Sequence, residues 1–282
     1  MEHPHTFLRF PGGREKALSF TFDDGAVEDA RLADRMEALG LRGTFNINSG
    51  WFGLVLPHCT HMTEAETLEA LDRDCAEIAC HGSLHADPTR IDMPTFVWDV
   101  MKDRNTLEKM FRRPVTGYAY PQGAYTPEVM KALESLGFEY ARAVGMTNSF
   151  RLPKNLFEIT ATCHLLGDSC PDCVERFLAF RCSDELWWDS ADGQFFNIFL
   201  HSYELRGNEP LWQTAFSRME TLSGRDDVWY ATNIEAVRYI KAYRSLIFSL
   251  ERGSVYNPSC TAVWFRCKEG VCRIGPGETV LL

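Results

Sequence analysis

No block of lysine and arginine runs through this chain, and 29 Lys and Arg against 39 Asp and Glu leave a formal net charge of −10. Nucleic-acid binding needs the opposite electrostatic footprint, so nucleic acid is not the expected partner. Long apolar runs are also missing. No stretch approaches the length needed to cross a bilayer, and the start, Met1-Glu2-His3-Pro4-His5, has no basic region leading into an apolar core. These absences predict a cytoplasmic chain with no membrane partner. A second Cys-x-x-Cys is lacking too. Cys170-Pro171-Asp172-Cys173 stands alone among ten cysteines, which argues against a zinc ribbon or a thioredoxin unit and for a helix start with incidental thiols. The other cysteines scatter through apolar segments, as reduced core thiols do. There is no internal repeat and no low-complexity tract.

What is present is an ordinary globular composition, 45% hydrophobic and 24% charged over 282 residues, enough to bury a large core. Apolar periodicity alternates between two and 3.6 residues. Strands are expected at 16–22, 43–48, 76–80, 116–120, 139–144, 157–165, 194–203 and 227–233. Helices are expected at 30–39, 63–72, 94–111, 126–137, 171–188, 211–222 and 234–247. Gly40 closes the first helix, and Thr63 with Glu66 three residues on opens the second. Strands alternating with helices imply an α/β fold with a parallel sheet, and this many units predicts a (β/α) barrel, complete or distorted. After about residue 250 the alternation becomes strictly two-residue around Lys268-Glu269-Gly270. The expected organisation is therefore a barrel over 1–248 and a small C-terminal β-hairpin or sheet over 249–282.

Polar residues gather where such a barrel keeps its reactive face, at the C-terminal ends of the strands. Asp23 and Asp24 follow the first strand, His81 and His85 the third, Tyr120-Pro121-Gln122-Gly123 the fourth, and His201 comes late in Gln194–Tyr203. Taken alone, Asp-Asp-Gly reads as a turn. Together these residues point to a metal: two imidazoles four apart can grip one ion, and either Asp23 or Asp24 can complete the set. The other aspartate then stays beside the ion as a general base, and the dication explains how adjacent carboxylates both stay ionised. His3, His5, His58 and His61 read as surface residues.

The runs Thr21-Phe22-Asp23-Asp24-Gly25, His81-Gly82-Ser83-Leu84-His85, Tyr120-Pro121-Gln122-Gly123 and Phe199-Leu200-His201, in this order, resemble the successive motifs of polysaccharide deacetylases, the carbohydrate esterase family 4 or NodB-homology group. The resemblance covers roughly residues 15–240. It implies a distorted (β/α) barrel and a metal-dependent hydrolase that removes acetyl from N-acetylated sugars, or in some relatives O-acetylated ones, so an acetylated carbohydrate is the expected partner. By position it makes Asp23 the general base and His201 the general acid. Asp24, His81 and His85 become ligands of one divalent metal, zinc first, with Co, Mn, Ni or Fe also suited. A backbone N–H of the third motif, that of Gln122, is the expected second oxyanion donor, and Tyr120 of the same motif is expected to bind substrate or support the site.

Two departures stand out. The arginine that opens the family's third motif is replaced by Ala119, and Arg142 on the next strand is its expected substitute. The family's aspartate-tryptophan motif is not evident between 140 and 165. Glu204 or Asp168 is expected to tune His201, Phe199 to border the acetyl methyl, and His164 to contact substrate or lie satisfied in the core. Trp51, Trp187, Trp188 and Trp212 could stack on sugar rings but read first as core or rim aromatics. Two other functions share this fold: a metal-independent amidase of a cyclic imide or ureide, which the retained ligand residues oppose, and a non-catalytic carbohydrate-binding descendant.

Overall fold

The computed structural model describes residues 6–182, 191–251 and 253–282. Its chain order is β1 (Phe7–Arg9), β2 (Lys16–Asp23), α1 (Asp29–Leu39), β3 (Gly43–Ile47), α2 (Glu64–Leu71), β4 (Ala76–Cys80), α3 (Met93–Phe111), β5 (Gly117–Ala119), α4 (Pro127–Ser135), β6 (Tyr140–Met146), β7 (Ile159–Ala161) and β8 (Cys163–His164). There follow α5 (Cys170–Ala179), β9 (Gln194–His201), α6 (Glu209–Leu222), β10 (Val228–Tyr230), α7 (Asn233–Arg244), and the short strands β11 (Ile247–Phe248), β12 (Ser254–Tyr256), β13 (Val263–Cys267), β14 (Gly270–Ile274) and β15 (Thr279–Leu281).

Strand β2 shows how the sequence builds the barrel. Its two-residue alternation sends Leu18, Phe20 and Phe22 outward into the main apolar cluster with Leu32 and Met36 of α1. Ser19, Thr21 and Asp23 point to the other side and are buried as well. Truncating Phe20 or Phe22 to alanine would cost about 3–5 kcal/mol, because each fills close-packed space under a helix. Along one edge β2 pairs in parallel with β9, from Lys16 opposite Gln194 to Asp23 opposite His201. On the other edge β10 takes Lys16–Leu18 and β3 takes Phe20–Asp23.

The sheet runs β7-β6-β5-β4-β3-β2-β9-β8, so its two ends are strands one residue apart in the chain. The predicted single strand at 157–165 is broken at Thr162. Its first half pairs with β6, its second half pairs with β9, and the Thr162 N–H between them donates to the Asn197 carbonyl of β9 at 2.7 Å. The one segment 159–164 thereby serves both ends of the strand order, and the α/β architecture with a mostly parallel sheet expected from the alternation is the one observed. The helix foreseen over 171–188 ends at Ala179, and 183–190, with Trp187 and Trp188, lie outside the described residues, as do His3 and His5. The caps behave as read: Gly40 is left-handed at φ 64°, and Thr63 and Glu66 form a reciprocal capping box. Cys170 and Cys173 occupy the first turn of α5 as buried thiols, and no cysteine is in a disulfide. No described helix is long and apolar enough to cross a membrane.

The barrel floor is closed by chain ends. Phe10, Ala17, Tyr140, Phe195, Ala231 and Tyr239 form a second apolar cluster with Trp264 packed against it. Strand β1 pairs antiparallel with β13, which forms a hairpin with β14, while β11, β12 and β15 make another small sheet. Tyr239 ties the layers together: its hydroxyl donates to the Arg9 carbonyl at 2.6 Å and accepts from the Trp264 N–H at 2.9 Å.

Near this floor Glu77 accepts hydrogen bonds from Thr44 Oγ1, Tyr140 Oη and the Ile234 N–H at 2.7–2.8 Å. Burial nevertheless pushes its carboxyl up to about 7. A raised acid binds protons that the unfolded chain releases, so its stabilisation is complete below about 4.5 and is lost as pH rises through about 7. Thermal unfolding from pH 5 to 8 should show the parent losing at most about 3 kcal/mol relative to Glu77→Gln over that window. Parallel pH profiles for the two proteins would refute this.

Candidate metal centre and active site

The register of β2 with β9 sets Asp23 beside His201 at the top of the barrel. Directly after Asp23 the backbone leaves the sheet: Asp24 sits at φ 79°, a left-handed conformation that costs a non-glycine residue about 1–3 kcal/mol. His85 and Gln122 are also left-handed, at 52° and 56°. The turn at Asp24 brings its carboxylate to the loop after β4. There Asp24 Oδ1 lies 3.5 Å from His81 Nε2 and 3.6 Å from His85 Nε2. One ligand atom from each of Asp24, His81 and His85 falls within 4.8 Å of the others, the one such group among the described residues.

The donors are prepared for a cation. His81 Nδ1–H donates to the Ala119 carbonyl at 2.9 Å, which leaves the Nε2 lone pair facing Asp24. Burial depresses its imidazolium to about 3, so it is a neutral ligand at neutral pH. Burial likewise lowers His85. Asp24 Oδ1 is buried without a hydrogen-bond partner, and burial together with the charge of Asp23 lifts this carboxyl to about 7. Asp24 Oδ1, buried without a hydrogen-bond partner and facing Nε2 of both His81 and His85, makes with them a set of one oxygen and two nitrogen donors that fits a divalent cation with positions left open.

Asp23 is held differently. Its Oδ1 accepts from Asn46 Nδ2 at 2.8 Å, and its Oδ2 pairs with the wholly buried guanidinium of Arg142. Burial raises its carboxyl, but Arg142 and, when protonated, His81 and His201 outweigh that and hold it at about 2. Since His81 is neutral above about 3, Arg142 is the permanent counter-charge. Arg142 also lies over the Phe199 ring, 4.9 Å from its centroid.

His201 Nδ1 and His164 Nε2 both meet Glu204 Oε1, at 3.0 and 3.1 Å. Glu204, not Asp168, is therefore the carboxylate on His201. Burial opposes the imidazolium of His201, but Glu204, Asp23 and Asp24 outweigh it and raise its pKa. Phe199 packs edge-on between His164 and His201. Trp51 stands over His85, its ring 5.0 Å away.

Two expectations need correction. Tyr120 does not face substrate: it is fully buried in the outer cluster, stacks on Tyr125 and donates its hydroxyl to the Phe157 carbonyl at 3.0 Å, so it supports the turn from behind. His61 is not a surface residue; it is buried and its Nδ1–H donates to the Asp24 carbonyl at 2.8 Å, fixing the unusual turn. Trp212 is buried on α6 beneath Arg31, remote from any sugar-stacking role. The Gln122 side chain is exposed on the turn after β5, and His58 is exposed as read.

Sequence reasoning missed the groups that hold the histidine loop. Asp103 Oδ2 accepts the His81 N–H at 3.0 Å and its Oδ1 the Ser49 N–H at 2.8 Å. Asp99 Oδ1 accepts the Leu84 N–H at 2.9 Å. Asn48 Nδ2 donates to the carbonyls of His81 and Gly82. A signal existed: Asp99 and Asp103 fall on the buried face of α3 with Phe96, Val100 and Leu107, where acids have no business unless backbone donors await them. Asp103→Ala is expected to weaken metal binding about 10- to 100-fold, a loss visible in competition with a zinc chelator. Parent-like affinity in a folded Asp103→Ala protein would contradict that assignment.

Comparison with known proteins points to one family and fold. Residues 11–141 match the family model described as polysaccharide deacetylase. YxkH of Bacillus subtilis (strain 168), a relative named for the same family, is 25% identical over 126 residues, 44% of this chain and 43% of its own. The match therefore spans less than half of that relative. A Mycobacterium smegmatis crystal structure, also named for polysaccharide deacetylases, superimposes with a TM-score of 0.56 over 86% of this chain and 96% of its own, at 18% identity. The family match takes in the first three of the four motifs, the solved structure supports the fold, and the chain is similar to polysaccharide deacetylases.

Proposed function

We propose that this chain is a metal-dependent hydrolase that removes acetyl groups from N-acetylated sugars or oligosaccharides, with O-acetyl esters as related substrates. The observation that carries the reading is the convergence of Asp24, His81 and His85 on one point beside an ionised, arginine-paired Asp23.

Asp24, His81 and His85 would hold one divalent ion, zinc suiting a mixed nitrogen and oxygen set, with Co, Mn, Ni or Fe able to replace it. When bound, such an ion acidifies water and withdraws electron density from a carbonyl oxygen. Asp23, kept ionised by Arg142, accepts the proton of the attacking water. Asn46 and Arg142 occupy one lone pair on each of its oxygens and fix the carboxylate plane. His201, steadied through Nδ1 by Glu204, presents Nε2 3.9 Å from Asp24 Oδ2 and donates a proton to the departing amine. The Gln122 N–H, on its left-handed turn next to Ala119, is a second donor to the oxyanion. Phe199 walls the acetyl methyl, and the ring edge of His164 borders the substrate while its nitrogens remain committed to Glu204 and the Leu166 N–H.

The test is acetate release from N-acetylglucosamine oligomers by zinc-loaded and chelator-stripped protein, with His81→Ala alongside. Release that follows zinc loading and is lost with the metal in His81→Ala is the expected result. Release untouched by stripping would favour the metal-independent amidase chemistry of this fold. Stoichiometric metal without hydrolysis of any acetylated sugar would favour carbohydrate binding alone.

A further inference from the structure

The hairpin β13–β14 carries two thiols that the catalytic reading does not use. Cys267 lies opposite Gly270, and Cys272 lies two residues further along the partner strand, opposite Phe265. Side chains two apart on a strand share a face, so Cys267 and Cys272 are diagonal neighbours on one side of the ribbon. Their sulfurs are 3.0 Å apart, inside van der Waals contact and about 1 Å longer than the bond of a disulfide. Cys267 is buried against Val263, Phe265 and Ile274 of the C-terminal cluster, whereas Cys272 is partly exposed and reachable from solvent.

We propose that Cys267 and Cys272 are an oxidisable dithiol pair whose disulfide staples the hairpin that seals the barrel floor. Burial holds the Cys267 thiol well above the usual range, so the partly exposed Cys272 is the sulfur that meets the oxidant. With a peroxide the atoms balance in two steps. Cys272 is oxidised to a sulfenic acid as the peroxide is reduced to water. Cys267 sulfur then attacks Cys272 sulfur, and the hydroxide that leaves takes the Cys267 proton, giving the disulfide and a second water.

The consequence is mechanical. Strand β13 is hydrogen-bonded to β1 and, through Trp264 and Tyr239, to α7. The link closes a loop of only six residues and lies on the floor, so it should stiffen the hairpin without altering chemistry at the opposite end of the barrel. Loop-closure arithmetic gives a rise in Tm of about 4 °C.

The experiment uses the full chain, incubated with hydrogen peroxide or with a phosphine reductant, then denatured, alkylated and digested with trypsin. Cleavage after Arg266, Lys268 and Arg273 makes the bond appear as Cys267-Lys268 joined to Glu269–Arg273. The expected result is that joined pair in the oxidised sample alone. The higher Tm should reverse on reduction, and both effects should be absent from a folded Cys272→Ser protein. The proposal is overturned if Cys267 and Cys272 are each alkylated after peroxide treatment, if Cys272 accumulates as sulfinic acid, or if either is joined to the exposed Cys260 or to a second chain. A Tm gap that persists in Cys272→Ser overturns it equally.

Discussion

Asp23→Ala is expected to slow acetate release about 10³- to 10⁴-fold while the protein keeps its full equivalent of metal. The two halves of this result come from different atoms. The candidate ligands are Asp24, His81 and His85, and Asp23 is 3.6 Å from His81 Nε2 but carries its own partners, Asn46 and Arg142. Removing its carboxylate deletes the proton acceptor and leaves three metal donors in place. Asp24→Ala, one residue on, should instead lose metal and activity together. Equal metal loss in both variants would show that the two carboxylates share the ion and would remove the distinction between base and ligand.

Arg142→Ala should produce the second largest effect, on stability as much as on rate. The guanidinium is wholly buried and pairs with an equally buried carboxylate. Breaking such a pair by deleting one partner costs about 3–5 kcal/mol, because the remaining charge is stranded without water. Asp23 would then lose its permanent counter-charge to oppose burial and move upward from about 2, so a smaller fraction would be ionised at the moment of proton transfer. A decrease in kcat of about 10²-fold is expected, with unfolding at a markedly lower temperature. The double variant Asp23→Asn, Arg142→Ala separates the two roles, since a neutral amide no longer needs the arginine. It should be more stable than Arg142→Ala alone. A loss in the double variant equal to the sum of the Asp23→Asn and Arg142→Ala losses would mean that the pair is not coupled.

Arg142 also marks how much of the site is legible in the sequence. The strand-helix alternation, the capped helices and the chemistry-bearing strand ends are readable because each depends on local periodicity or on a motif. So is the supply of a guanidinium by Arg142 where Ala119 stands in the third motif, because adjacent parallel strands deliver successive residues to the same face: Ala119 and Arg142 are register partners on β5 and β6. Less legible are contacts set by loop conformation. Asp24 turns toward the histidines only because it adopts φ 79°, and His61 is drawn inward by the Asp24 carbonyl. No spacing in the loop 48–63 announces that bond. Tyr120 misleads for a simpler reason: it continues the alternation of β5 past the end of the strand, with Ala119 facing inward and Tyr118 and Tyr120 facing the helices. The break at Thr162 is hidden as well, since the apolar-polar alternation of 157–165 runs through it unbroken and does not reveal that its two halves serve opposite ends of one sheet.

Glu204 occupies the place of a carboxylate expected earlier in the chain. Only three residues beyond His201, it reaches back to that imidazole across a short helical turn and at the same time gathers His164 from the neighbouring strand. A local residue thus supplies support that the related motif pattern draws from a distant one.

The most direct measurement is anomalous diffraction from crystals grown with zinc, recorded on both sides of the zinc edge. A single peak about 2.0–2.2 Å from the Asp24 carboxylate and from Nε2 of both His81 and His85 is the result that follows from this arrangement. Zinc bound elsewhere with these three side chains uncoordinated, or no zinc at a saturating concentration, would contradict it.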